Sequence, residues 1–171
     1  MRDFAVITEM EILSPNIEKR FATDKYSICD VRARDAEGRL FDIEIQRSRT
    51  SNLAERLTYY VATQLVEQIG EGDRYSDLRS SIGICNLDAV LFGDIPDLHR
   101  DFRLLNERHS LTLTDRLQVH LLELPKSTPP SDNGEITAPI ELWCFLFRQA
   151  GDLTAEEISH RLPNAAIAEA T

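Results

Sequence analysis

The sequence predicts one α/β domain that ends in a helical C-terminal appendix. Two observations support this fold class. Segments that alternate polar and apolar residues come first and are followed by a segment in which apolar residues recur at helical spacing. After these comes a long segment rich in β-branched residues, which is typical of a buried strand. The length of 171 residues is about that of one domain, and 42% hydrophobic with 28% charged residues is an ordinary globular composition. We therefore expect a packed core built from strands and helices.

The first half of the chain predicts a strand, a hairpin and a helix. The predicted strands are Thr8–Leu13, Ser27–Arg34 and Arg39–Gln46, the last two forming the hairpin. Apolar residues then recur at helical spacing from Leu53 until Gly70 stops the pattern, with Ser51 and Asn52 as N-cap residues.

The second half predicts three more strands, a loop and two helices. The strands are Ile82–Phe92, Phe102–Glu107 and Arg116–Leu124, the loop is Pro125–Pro139, and the helices are Ile140–Ala150 and Thr154–Leu162. This pattern divides the chain into a core over residues 1–124, a loop over 125–139 and a helical segment over 140–171.

The charge distribution argues against a protein that coats nucleic acid by bulk electrostatics. The net charge is −10, yet Lys19–Arg56 holds nine Lys/Arg against seven Asp/Glu, while the remainder holds ten against 22. The locally basic stretch surrounds the hairpin. No apolar run approaches the roughly 20 residues of a membrane span, and the N-terminus lacks signal-peptide order, so we expect a cytoplasmic protein without membrane contact.

Cysteines and histidines show no metal-binding spacing. Cys29, Cys85 and Cys144 are far apart and odd in number, which favours buried free thiols over disulfides or a CxxC site. The four histidines lack HxH or HxxxH spacing, so we expect them to be solvated or locally hydrogen bonded.

The hairpin turn decides which side chains face each other. A three-residue loop, Ala36–Gly38, places glycine where a type I turn needs a left-handed residue, and it pairs Asp30 with Glu44 and Arg32 with Asp42. A two-residue loop would send Asp30 to the opposite face. Directly opposite residues hold their Cβ atoms about 5 Å apart, where two like charges repel.

Two facing carboxylates have three common uses. They share a proton, act as the acid and base of a glycosidase, or hold a divalent cation. Metal binding fits best, because Mg²⁺ prefers one or two carboxylates with waters and phosphate oxygens, and Gln46 on the same face could orient a water. A metal-independent glycosidase remains a weaker alternative, and a solvated polar face remains an equal alternative on geometry alone.

Five ordered segments resemble the PD-(D/E)xK nuclease family transposases, also described as recombination-promoting nucleases. The segments are EMEILSP (Glu9–Pro15), DKYSICDVRARDAEGRLFDIEIQ (Asp24–Gln46), ERLTYYVATQLVEQIGEGDRY (Glu55–Tyr75), TDRLQVHLLELPK (Thr114–Lys126) and ELWCFLF (Glu141–Phe147). Asp30 and Glu44-Ile45-Gln46 match the D...ExK signature, in the variant where glutamine replaces lysine.

This resemblance implies a restriction-endonuclease-like, three-layer α/β core with a mixed central sheet, hydrolysing DNA phosphodiesters. Asp30, Glu44 and Gln46 match the catalytic positions, and the two acids match the metal-binding ones, with Mg²⁺ as the expected cofactor and Mn²⁺ as a substitute. Gln46 cannot supply the positive charge of lysine, so its expected role is orientation alone.

The segments that match the family also suggest DNA contacts. Arg47, Arg49, Arg56 and Gln64 are the candidates, since arginine forks match phosphate geometry, although surface arginines and core packing are the plainer interpretation. Trp143 is expected in the core or at a dimer interface rather than as a base-stacking platform, which leaves a homodimer open.

One departure from the family pattern gives a second hypothesis. Family members usually carry a helical segment ahead of the EMEIL-like strand, whereas Met1 lies only seven residues before that strand, so we expect this helix to be lacking. The alternative to an active endonuclease is therefore a catalytically inactive, truncated remnant that acts only as a binding or oligomerisation module.

Overall fold

The computed structural model describes residues 9–17, 27–127 and 139–149 of the chain. These residues fall into two compact units. The first contains the described residues up to Leu87 together with His99–Leu122, and the second contains Asp88–Leu98 and the described residues from Glu123 onward.

The first unit is built on a six-stranded mixed sheet. Its strands are β1 (Met10–Leu13), β4 (Val31–Asp35), β5 (Leu40–Gln46), β6 (Ser81–Leu87), β7 (His99–Asn106) and β8 (Leu111–Glu123), in the spatial order β1-β4-β5-β6-β8-β7. The β5–β6 pair is parallel, whereas β1–β4, β4–β5 and β7–β8 are antiparallel. The predicted mixed α/β sheet is confirmed.

The hairpin turn has the predicted register. Arg32 pairs with Asp42, and the amide of Asp35 donates to the carbonyl of Arg39 at 3.1 Å, which leaves three residues in the loop. Gly38 has φ +79°, a left-handed conformation that costs glycine little. The Asp35 carboxylate accepts hydrogen bonds from the amides of Glu37 and Arg39 at 3.0 and 2.8 Å, so the turn is fixed by its own side chain.

The first hairpin strand, predicted to run without a break over Ser27–Arg34, is interrupted. Its start, β3 (Ser27–Ile28), pairs instead with β2 (Asn16–Ile17) in a separate two-stranded sheet, and the chain bends at Asp30 before β4 begins. At the bend the amide of Asp30 donates to a carboxylate oxygen of Glu44 at 3.3 Å. The Glu44 side chain thus accepts the hydrogen bond that a neighbouring strand's carbonyl would otherwise accept from the Asp30 amide.

Helix α1 (Leu53–Val66) connects the parallel strands β5 and β6. Parallel neighbours need such a crossover, and α1 buries Leu53, Leu57 and Val61, which lie one above the other on one face. Each such side chain contributes about 2 kcal/mol when fully buried. The helix ends three residues before the predicted limit. Of the two predicted N-cap residues Asn52 is the N-cap, with φ 66° and no side-chain capping bond.

A glycine lets α1 lie close to the sheet. A Cβ atom at Gly83 of β6 would lie 2.7 Å from Cγ1 of Val61, closer than side chains tolerate. The neighbouring Ser81 hydroxyl donates to the carbonyl of Val61 at 2.8 Å. The opposite face of the sheet holds a small apolar cluster with Ala33 and Phe41 at its centre.

The second unit explains why the predicted strand Ile82–Phe92 stops at Leu87. The amides of Leu91 and Phe92 donate to the buried carboxylate of Glu123 instead of joining the sheet. Lys126 completes this network, since its ammonium donates to the carbonyl of Phe92 and to Glu123, both at 2.6 Å. The strand β8 also begins five residues earlier than predicted.

Helix α2 (Pro139–Gln149) confirms the first predicted C-terminal helix. Trp143 is 45% exposed and lies 6.1 Å from the ring of Phe147, so the core alternative for Trp143 is wrong and the dimer-interface alternative stays a prediction. The second predicted helix, Thr154–Leu162, and the rest of the appendix lie outside the described residues. Neither α1 nor α2, the two α-helices of the described part, is long and apolar enough to span a membrane.

Candidate active site

The polar face of the β4–β5 hairpin is turned toward α1. On this face Arg32, Asp42 and Glu44 are all buried, although charged residues seldom are. Buried charges require partners or a ligand, because desolvating them without compensation costs several kcal/mol each. This face therefore combines three buried charged side chains with the residues matched to the nuclease signature.

The structure brings Asp30 and Glu44 together, as the register predicts. In addition to the bond from the Asp30 amide to Glu44, the Asp30 carboxylate accepts the amide of Ile45 at 2.8 Å. These two reciprocal bonds hold the exposed Asp30 beside the buried Glu44.

Asp42 is the functional candidate that the sequence reasoning missed. Its side chain is fully buried, and its carboxylate accepts no N–H or O–H from the described residues, while the weakly donating thiol of Cys29 lies beside it. The sequence reasoning paired it with Arg32, which does lie opposite and attracts it. Burial nevertheless raises the pKa of Asp42, with the charge of Asp30 adding to the effect. Its position two residues before Glu44, on the same strand face, was the available signal.

Electrostatics mark Glu44 as the centre of the cluster. Burial, together with the charges of Asp42 and Asp30, raises the pKa of Glu44 to about 7, whereas the charge of Arg56 opposes the shift. Burial also raises the pKa of Tyr60, and the charge of Glu44 contributes. A divalent cation would relieve this accumulation of negative charge.

The donor atoms fit a hard divalent cation. Cys29, Asp42 and Glu44 each place one potential ligand atom within 4.8 Å of the others, and Asp30 lies beside Glu44. Burial raises the pKa of the Cys29 thiol well above its ordinary value, so this sulfur stays protonated and is a poor ligand. The remaining donors are carboxylate oxygens, which suit Mg²⁺ and Mn²⁺. All three cysteines are buried free thiols, as predicted.

Gln46 and Arg56 complete the surroundings of Glu44. The amide of Gln46 donates to the carboxylate of Glu44 at 3.4 Å, which places Gln46 at the acids as the ExQ pattern requires. Nη2 of Arg56, from the first turn of α1, lies 3.8 Å from the same carboxylate oxygen. The predicted site residues Asp30, Glu44, Gln46 and Arg56 therefore occupy one neighbourhood.

The predicted DNA contact Gln64 has a structural role instead. Its side chain is fully buried, accepts from Nε of Arg32 at 3.4 Å and donates to the hydroxyl of Ser81 at 3.1 Å. Arg32 also forms a salt bridge to Glu67 at 3.3 Å. Gln64 thus connects α1 to the sheet beneath the acids and cannot reach DNA.

Two other predicted contacts, Arg47 and Arg49, are exposed immediately after β5. Their exposure leaves them free to reach a phosphate backbone, and their role stays a prediction. Among the histidines, His99 and His120 hydrogen bond to each other at 2.9 Å, in agreement with the expectation of local bonding.

Comparison with known proteins identifies the family of this chain. A search of curated proteins and a search of solved structures each found no match. The family model described as PD-(D/E)XK nuclease family transposase matches residues 3–171. The chain therefore belongs to the PD-(D/E)XK nuclease family transposases.

Proposed function

We propose that this protein is a divalent-metal-dependent DNA endonuclease whose cuts promote recombination. Family membership supports a nuclease-like function with DNA as the substrate. The observation that supports the metal requirement is the buried Asp42 carboxylate, which accepts no N–H or O–H from the described residues, has the weakly donating thiol of Cys29 beside it and lies within metal-site distance of Glu44. Such an arrangement is costly unless a cation completes it.

Asp30 and Glu44 would hold the ion, with Asp42 as an additional oxygen donor. When bound, Mg²⁺ supplies Lewis-acid polarisation of a phosphoryl oxygen and lowers the pKa of a coordinated water. The chain itself orients these carboxylates: the amide of Ile45 fixes Asp30, and Gln46 donates to Glu44. Gln46 remains neutral, so it can position a water but offers no charge to the phosphate.

The test is nicking of supercoiled plasmid DNA by the purified full chain with Mg²⁺ or Mn²⁺. We expect the wild type to cut and Asp30→Ala and Glu44→Gln to lose at least 100-fold in rate, a typical effect of losing a group that stabilises transition-state charge. Asp97→Ala, at an exposed aspartate outside the site, is the matched control and should cut like the wild type.

Metal binding supplies an independent measurement. Calorimetric titration with Mn²⁺ should show binding to the wild type and at least tenfold weaker binding to Glu44→Gln. A chain that neither cuts DNA nor binds Mn²⁺ would contradict the proposal and favour the inactive binding module.

A further inference from the structure

The ExQ variant lacks a positive charge that phosphodiester hydrolysis needs. Negative charge on the phosphate oxygens must be stabilised as the attacking oxygen approaches and the leaving oxygen departs. In the ExK pattern a lysine stands where this chain has Gln46, which is neutral. The three acids Asp30, Asp42 and Glu44 crowd the same place and would offset much of the charge of a bound divalent ion. A second cation near Glu44 would therefore supply the charge that lysine gives in the ExK pattern.

Arg56 lies where such a cation is needed. It projects from the first turn of α1, and its Nη2 lies 3.8 Å from the Glu44 carboxylate. This distance is too long for a hydrogen bond, so the contact is an electrostatic approach and not a formed bidentate pair.

The N–H donors of Arg56 that lack hydrogen bonds among the described residues lie on the side of the guanidinium with which arginine commonly binds oxyanions. Its Nε and Nη2 atoms are buried and have no hydrogen-bond partner among the described residues. These two nitrogens form one side of the guanidinium plane, and parallel N–H groups on such a side match two oxygens of a phosphate. About 30% of the side chain is exposed, through atoms other than these two nitrogens, so the fork lies just beneath the surface.

We propose that Arg56 is a catalytic residue whose Nε–Nη2 fork binds non-bridging oxygens of the scissile phosphate and supplies the positive charge that Gln46 does not. This inference rests on the proposed endonuclease function. In the hydrolysis, a bond forms from the water oxygen to phosphorus while the bond from phosphorus to the leaving sugar oxygen breaks. One water proton ends on the leaving oxygen and the other passes to solvent, and Arg56 takes no part in the proton transfer.

The experiment compares Arg56→Gln and Arg56→Lys with the wild type in single-turnover plasmid nicking with Mn²⁺. We expect Arg56→Gln to lose about 100- to 1,000-fold in cutting rate. Arg56→Lys keeps the charge without the fork, so its rate should lie between the other two. Arg74→Gln, at an arginine whose side chain is 81% exposed, is the matched control and should cut like the wild type.

Mn²⁺ titration separates catalysis from support of the metal site. Since Arg56 is no metal ligand, Arg56→Gln should bind Mn²⁺ at least as tightly as the wild type, which also shows that the site remains folded. Weakened Mn²⁺ binding, cutting within threefold of the wild type, or equal rates for the glutamine and lysine variants would each overturn the inference.

The two proposals can fail separately. If the wild type cuts and needs Asp30 and Glu44 but not Arg56, only the role of Arg56 is overturned. If the wild type leaves DNA intact with both metals, the endonuclease function is overturned and the inference with it.

Discussion

Replacing Glu44 by glutamine should change how stability depends on pH in the metal-free protein. Glu44 is 3% exposed, and burial raises its pKa to about 7 from an ordinary value of 4.5. A folded state that binds the proton more tightly than the unfolded state loses stability as pH rises between these two values. At about 1.36 kcal/mol per pKa unit, the ionised Glu44 costs the wild type about 3 kcal/mol. Glutamine has almost the same shape and carries no charge.

The assay is urea unfolding in EDTA at about pH 4.5 and about pH 8 for both proteins. We expect the free energy of unfolding of Glu44→Gln, relative to the wild type, to increase by about 3 kcal/mol from the lower to the higher pH. Using the difference between two proteins removes the contribution of titrating groups that do not interact with Glu44. Glu107→Gln, at an exposed glutamate, is the control and should show no such change.

Added metal should offset most of this advantage. Mg²⁺ at about 100 times its dissociation constant would stabilise the wild type by about 2.7 kcal/mol and the variant by less. An equal difference between the two proteins at both pH values would refute the reasoning, because it would mean that Glu44 ionises in the fold without penalty. The proposed packing of α1 over the acids would then be wrong.

Three further changes probe the frame of the site and its approach to DNA. Gly83→Ala should lower the free energy of unfolding by about 1–3 kcal/mol in urea titration, because the new methyl group collides with Val61. Glu123→Ala should cost about 3–5 kcal/mol and speed proteolysis of the segment that it anchors, since it leaves a buried ammonium and two amides without their partner. Replacing Arg47 and Arg49 together by glutamine should weaken binding to all DNA sequences equally. It should also reduce the slope of log affinity against log salt concentration by about 2, measured by fluorescence anisotropy.

Matched variants give these predictions their controls. Gly93→Ala places its methyl group in open space, so a loss as large as that of Gly83→Ala would show that the steric argument is wrong. A Glu123→Ala protein with wild-type stability would contradict the buried network. An unchanged salt slope in the double arginine variant would mean that neither arginine touches phosphate, and Arg79→Gln serves there as an exposed control.

The sequence predicted what depends on local chemistry. The turn at Gly38 needs a left-handed residue, so the register of the hairpin and the meeting of Asp30 with Glu44 followed from a few neighbouring residues. Helix α1 followed in the same way from the spacing of its apolar residues, of which Leu57 is typical.

What the sequence could not predict depends on tertiary placement. The hydrogen bonds of Arg32 to the buried side of α1 could not be foreseen without knowing where the helix crosses the sheet. As a consequence Asp42 appeared neutralised in the sequence, whereas its carboxylate accepts no N–H or O–H from the described residues. Similarly, apolar residues such as Leu91 suggested a longer β6, but their amides bond to Glu123, some 30 residues later.

Gly83, which has no side chain, sets the distance between α1 and the sheet next to the acids. A methyl group there would lie 2.7 Å from Val61, against 3.4–4 Å for ordinary contact, so the helix would have to retreat by roughly 1 Å. Arg56 lies on that helix and Glu44 on the sheet, so this displacement would increase the distance between the guanidinium and the carboxylate. A misplacement of about 1 Å can cost about 100-fold in catalytic rate. The absence of a side chain at Gly83 thus keeps α1 at the distance from the sheet that holds Arg56 near Glu44.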